Sequence, residues 1–368
     1  MTAEVECKPP KASFVSRVRG WLLWSLRTLG PLWAVLAAFL VGALALLSAG
    51  VDPLAAYGTM LEGTLGSWAA VGLTLQKSVP LIFAGLGVAF ALHASLFNIG
   101  AEGQLYIGAM AGTIIALYVP GLPIWLHIPL VLLGAFVGGA IWGGIPGYLR
   151  AKRGLSEIIM TIMLNYVGFW FVSFMVHGPI REGGNSYYPQ TDIVAATAQL
   201  PIFWKAGRLH IGFPLAIVAA IIVYIILYRT TLGYQIRAVG RGANAARHAG
   251  ISPGRNITIA MMVSGGLAGL AGIMEVVGVQ HRLSDFFSPG YGYDAIAVAL
   301  LAKGNPFGVV LAAIFFGALR AGSNQMQRTM GVPASVAAFI QGVTVLFVAI
   351  AAAIQLVALW REEARSRD

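Results

Sequence analysis

Asn98, Glu102 and Gln104 stand among Gly100, Gly103 and Gly108 in the segment SLFNIGAEGQLYIG, residues 95–108, of an otherwise apolar region. Side-chain amides both donate and accept, which suits sugar hydroxyls and the edges of bases. A carboxylate at membrane depth is costly unless it faces protein, water or a partner. Glycines there let a helix break or let another helix come close. The segment therefore suits handling a solute or shaping a pathway better than a plain lipid-facing span. Asn165 and Tyr166 mark a second polar point, and the Tyr166 ring could stack on a sugar or base. The plainer reading of Glu102 is a solvated helix cap; that of Asn98 and Gln104 is hydrogen bonding between helices. Lys77 and Glu275 also interrupt apolar runs, either as an ion pair or as chains reaching to the interface. No catalytic nucleophile–base pair and no metal-ligand pattern stands out.

The elements that must position these residues are membrane helices. Of 368 residues, 58% are hydrophobic and 10% charged, where soluble domains are about a quarter charged. Apolar runs of spanning length recur from end to end, so the chain reads as an all-α, polytopic membrane protein with about ten transmembrane helices. The expected spans are 31–50, 68–92, 104–119, 127–148, 156–177, 212–228 and 256–277, two short helices at 295–302 and 307–321, and a last span at 334–358. Residues 31–50 read as an uncleaved first span, although SAG at 48–50 is cleavage-like. The stretch 52–67 reads as polar, Ser156 and Glu157 as an N-cap pair, and LRAKRG at 149–154 as a basic loop. Gln341 is a weak polar candidate in the last span. The Phe and Tyr residues of 286–293 suit an outer gate or an aromatic belt.

Residues 31–358 form one transmembrane domain. Residues 1–30 form a cytoplasmic tail whose Lys8, Lys11, Arg17, Arg19 and Arg27 alternate with apolar residues, as in an interfacial helix. Residues 359–368 form a second cytoplasmic tail. An even number of spans puts both termini on one side, and most Lys and Arg residues fall inside if that side is the cytoplasm. The net charge of +10 is explained by this asymmetry and implies no nucleic acid. Cys7 is the single cysteine, so no disulfide framework or thiol chemistry is available.

The loop 229–255 carries five arginines and no acid. Gly242 and Gly250 bracket the run 243–249, and a left-handed Gly250 would end a helix of about two turns. Ser252 and Pro253 suit the start of the next span. The short helix would offer Asn244, Arg247 and His248 to a groove on a soluble partner and pass a rigid-body push to the adjoining spans. The competing reading is a basic loop that only fixes orientation.

Four strings together carry a family likeness: SLFNIGAEGQLYIG, SEIIMTIMLNY at 156–166, GYQIRAVGRGANAARHAGI at 233–251, and SPGYGYDAIAVALLAKGNPFGVVLAAIFFGALRAG at 288–322. The chain resembles, over about residues 30–358, the permease subunits of bacterial ABC importers. It is most like the ribose- and nucleoside-type branch, whose simple-sugar or nucleoside permeases work with basic-membrane-lipoprotein binding proteins. The resemblance implies a vitamin-B12-permease-like arrangement of ten helices in the bacterial cytoplasmic (inner) membrane. It implies that two ATPase subunits dock on the loop around 237–251, which places ATPase coupling at Gly240, Arg241, Asn244, Arg247, His248 and Gly250; Asn98, Glu102, Gln104, Asn165 and Tyr166 are the residues read above as candidates to line a substrate pathway. The implied partners are ATPase subunits, a second permease, an extracytoplasmic substrate-binding lipoprotein and membrane lipid. The chain would bind no cofactor and catalyse nothing; ATP-Mg would be used by the partner subunits, in keeping with the lack of a GxxxxGK[ST] P-loop. The implied cargo is a neutral, hydroxyl-rich solute, foremost a nucleoside. A pentose or other simple sugar on the same machinery, or a gradient-driven transporter using Glu102 or Glu275, are the alternatives. His93 and Ala94 ahead of Ser95, and the tail REEARSRD, depart from the family pattern.

Overall fold

The computed structural model describes residues 30–183, 187–333, 335–347 and 350–351, with backbone only at 30–32. The expected interfacial helix, the end of the last span and the C-terminal tail lie outside the described residues. The chain folds in the order α1 (Gly30–Ser48), α2 (Pro53–Leu65), α3 (Trp68–Leu92), α4 (Ala101–Tyr118), α5 (Ile124–Arg153) and α6 (Glu157–His177). A loop with a two-stranded sheet follows, β1 (Ile202–Trp204) and β2 (Leu209–His210), then α7 (Gly212–Arg229), α8 (Thr231–Arg241) and α9 (Ala243–His248). The chain continues with α10 (Pro253–Glu275), extended by a π-helical turn at Val276–Gln280, then α11 (Tyr291–Leu301), α12 (Pro306–Met330) and α13 (Ser335–Phe347).

Six of these helices are long and apolar enough to cross a membrane. The count becomes seven if α1 and α2, bent by 117° at their junction, form one span. The junction revises the expected polar stretch at 52–67. The Asp52 side chain accepts the Leu54 N–H at 2.9 Å and Pro53 holds the first helical position, so a new helix starts at once. The expected basic loop at 149–154 also differs. Helix α5 runs through Arg153 and stops at Gly154, whose φ of 65° is the left-handed cap. The all-α expectation misses the small antiparallel hairpin, in which Ile202 faces His210.

The core is α3 with α4, α5 and α10, and the α5–α10 interface is the most extensive. Gly139 and Gly265 let these two backbones touch, and Gly108 meets Gly269 between α4 and α10; a Cβ at Gly108 would run into the Gly269 Cα. Of the most apolar window of α3, 83% is buried, against 28% for α6 and for α7. The outer helices thus present apolar flanks to lipid or to another subunit, while α3 is enclosed by protein.

Candidate functional site

The break between α3 and α4 is held by side chains that replace the missing helical hydrogen bonds. Asn98 donates to Gln104 Oε1 and to Ser264 Oγ, both at 2.8 Å. Its Oδ1 accepts the Gly100 N–H at 3.0 Å and Gln104 Nε2 at 3.1 Å. From α6, Asn165 Oδ1 accepts the Gly103 N–H at 2.8 Å, and its Nδ2 donates to the Ile99 carbonyl at 2.9 Å. Glu102 reaches across to α11 and accepts the N–H of Gly292, one of the first free N–H groups of that helix. A Cβ at Gly292 would collide with the Glu102 backbone, so the carboxylate sits directly on the helix start.

All four polar residues are buried: Asn98 at 0% exposure, Gln104 and Asn165 at 1%, Glu102 at 2%. In this conformation they meet protein. Tyr166 is the exception among the five pathway candidates, with 55% of its surface exposed. It belongs to an outward face of α6 with Met163, Trp170 and Phe174. The exposed ring of Phe286 meets Trp170 at 6.3 Å between centroids, and Asp285 accepts from Ser173 at 3.2 Å. The hydroxyl of Tyr293 lies 3.5 Å from Asn165 Nδ2, joining this face to the buried break.

A second buried network lies at the start of α11. Lys77 and Glu275 form an ion pair at 3.3 Å. The Tyr291 hydroxyl accepts from Lys77 and donates to Glu275, each at 3.4 Å. Arg320, from α12, pairs with Asp294 and lies over the Tyr291 ring at 4.5 Å from its centroid. Sequence reasoning singled out Lys77 and Glu275 but passed over Asp294 and Arg320. An acid and a base in two neighbouring apolar segments were the signal that could have found them. Glu157, expected to help cap its own helix, instead pairs with Arg150 at 3.3 Å, and Ser156 makes no cap bond.

Between α8 and α10, α9 stands out with Asn244, Arg247 and His248 exposed and only Ala246 buried among its six residues. Gly250 has a φ of 79°, the expected left-handed position, whereas Gly242 at 176° is extended backbone open to any residue. Arg241 is exposed beside it and Gly240 is half-buried. Gly240 meets the turn after α3: its carbonyl accepts from Ser95 Oγ at 2.7 Å, and a Cβ there would strike the His93 carbonyl. His93 Nε2 in turn lies 3.2 Å from the Gly304 carbonyl, between α11 and α12. One three-residue turn thereby touches both the α8–α9 element and the far end of α11.

On the opposite side, outside the spanning helices, His210 accepts the Gly212 N–H at 3.1 Å. Burial, reinforced by His281, pushes its pKa down to about 4, so the ring is neutral at ordinary pH.

The family model described as branched-chain amino acid transport system / permease component matches residues 70–349. The chain belongs to this permease family. It is 38% identical over 360 residues to a glucose ABC transporter permease of Haloferax volcanii, covering 94% of this chain and 91% of the relative. It is 37% identical over 332 residues to a nucleoside ABC transporter permease of Lactococcus lactis, covering 88% and 91%. A second nucleoside permease of the same organism is 28% identical over 254 residues, covering 66% and 78%. No solved structure matches. The permease is a transport subunit and not an enzyme, and it is a multi-pass protein of the inner membrane. Its family implies ATPase and binding-protein partners.

Proposed function

We propose that this permease is the membrane-spanning subunit of an ATP-driven importer of nucleosides. The observation that carries the proposal is the α8–α9 element. A short helix with its polar residues outward is tied by Gly240 to the turn that also touches α11. ATPase subunits seat on α9, contacting Arg241, Asn244, Arg247 and His248, while Gly240 and Gly250 set its position. ATP-Mg belongs to those subunits, and this chain binds no cofactor. The completed fold has ten spans in the vitamin-B12-permease-like arrangement, with both termini cytoplasmic, as the basic loops favour.

A second permease of different sequence faces the apolar, outward side of α6. The presence of two nucleoside permeases in Lactococcus lactis supports that pairing. A substrate-binding lipoprotein delivers cargo from outside. The solute passes along the face that bears Tyr166, Trp170 and Tyr293, where aromatic rings suit a base better than a bare sugar. Asn98, Glu102, Gln104 and Asn165 hold that face in place from behind.

The test uses the whole complex in liposomes with its binding protein, with labelled adenosine and labelled glucose as probes. Adenosine accumulates only with ATP on the ATPase side, is unaffected by ionophores, and is not displaced by glucose. Glucose uptake that adenosine does not inhibit overturns the substrate. Accumulation by this chain alone, driven by an ion gradient, overturns the subunit role.

A further inference from the structure

Helix α5 keeps one line of residues outward. Leu133, Val137, Ile141, Ile145 and Tyr148 are all exposed, spaced three or four apart, and Lys152 continues the line. Helix α10 answers with Met262, Ile259 and Arg255. Where the two lines end, a groove of about 500 Å³ opens between Tyr148, Lys152, Ser252, Arg255 and Ile259. The Lys152 ammonium lies 6.0 Å from the Tyr148 ring centroid. The nearby Arg150 is committed to Glu157, whereas Lys152 and Arg255 meet no carboxylate among the described residues. Ser252 makes no cap bond to the helix that it starts.

The groove therefore has an apolar wall above, an interfacial tyrosine, and two uncompensated cations below. An anionic phospholipid has the complementary layout, with acyl chains above and a phosphate below. We propose that this groove seats one such lipid, its phosphate between Lys152 and Arg255 and a chain against Ile145, Ile259 and Met262. The lipid clamps the end of α5 to the start of α10, four residues beyond α9. This goes beyond the import reading and holds whatever the cargo.

The intact complex is reconstituted in nanodiscs of phosphatidylcholine and phosphatidylglycerol, extracted gently, and weighed by native mass spectrometry. The wild-type complex retains phosphatidylglycerol in preference to phosphatidylcholine. The Lys152→Gln/Arg255→Gln variant loses that retention about 10- to 30-fold, from about 1 kcal/mol per cation. Arg153→Gln, outside the groove, keeps it, and millimolar inorganic phosphate does not displace it. Equal retention in the double variant overturns the proposal, as does equal loss in Arg153→Gln. Displacement by inorganic phosphate reassigns the groove to free anions. Retention that appears only after the ATPase subunits are stripped reassigns it to a protein contact. Melting in pure phosphatidylcholine nanodiscs checks the fold of the double variant. If it melts early, Lys152→Gln alone carries the comparison, with a loss of about fivefold.

Discussion

Replacing Asn165 by leucine separates two accounts of the polar break. In the structure the Asn165 amide serves two buried backbone groups, the Gly103 N–H and the Ile99 carbonyl, at 2.8 and 2.9 Å. Leucine is close in size and offers neither partner. Asn165 is 1% exposed, so bulk solvent does not take over these bonds. Each orphaned buried group costs about 1–2 kcal/mol within a membrane protein. The loss sums to about 2–4 kcal/mol, or roughly 30- to 1000-fold in the equilibrium between intact and opened break. Thermal unfolding of the complex in nanodiscs reads this directly, and transport falls with the intact fraction while the KM of the survivors stays constant. Tyr166→Leu, one residue along but exposed, changes stability by less than about 0.5 kcal/mol and raises KM. Wild-type melting of Asn165→Leu together with a raised KM would refute the reasoning, because that outcome belongs to a residue that touches solute.

Three further outcomes follow from the same geometry. Gly240→Val forces the α8 backbone off the His93 carbonyl; it leaves the complex assembled and ATP hydrolysis intact but lowers solute moved per ATP several-fold, measured by paired uptake and phosphate release. Lys77→Met alone strands Glu275 in the interior and destabilises by about 3 kcal/mol, while Lys77→Met with Glu275→Gln recovers most of that loss in a double-mutant cycle. His210 is neutral when folded, with a pKa near 4, but ordinary when unfolded at about 6.5. Its contribution is therefore complete above pH 6.5 and is lost as pH falls from there towards 4, and His210→Asn flattens that part of the melting curve.

Composition and period made the membrane helices legible. The broken α3–α4 connection was also legible, because Asn98, Glu102 and Gln104 among glycines have no place in a simple span. The partners of those residues were not legible. Asn98 and Gln104 pair locally, but Ser264 on Asn98, Gly292 on Glu102 and Asn165 on the Gly103 N–H lie 166, 190 and 62 residues away, and no local pattern encodes such pairings. An identical list of amides suits a solute or a broken backbone equally well; only burial distinguishes them. The helix that begins at Pro53 was hidden by its own charged cap, since Asp52 reads as a loop residue until it is seen to accept the Leu54 N–H. His93, set down as a departure from the family pattern, is the residue whose ring meets Gly304.

The distribution of close contacts also limits where the permease can move. Helices α4, α5 and α10 touch backbone to backbone at Gly108, Gly139, Gly265 and Gly269, with no side chain between them to change rotamer. Such a seam slides poorly, because a shift along it brings Cα atoms against neighbours with a Cβ. Helix α11 is held differently. It has eleven residues; at its start Gly292 lies against the Glu102 backbone, and Glu102, Tyr291 and the Asp294–Arg320 pair add side-chain contacts there, while His93 meets its finish. Beyond that single backbone contact its side-chain hydrogen bonds can exchange partners, whereas a glycine seam cannot. The contacts of Gly240 with the His93–Ser95 turn and of His93 with Gly304 link the α8–α9 element to the far end of α11. We propose on this geometry that α4, α5 and α10 move as one body and that α11, pivoting about its Gly292 contact, tilts to open or close the face carrying Tyr293 and Tyr166.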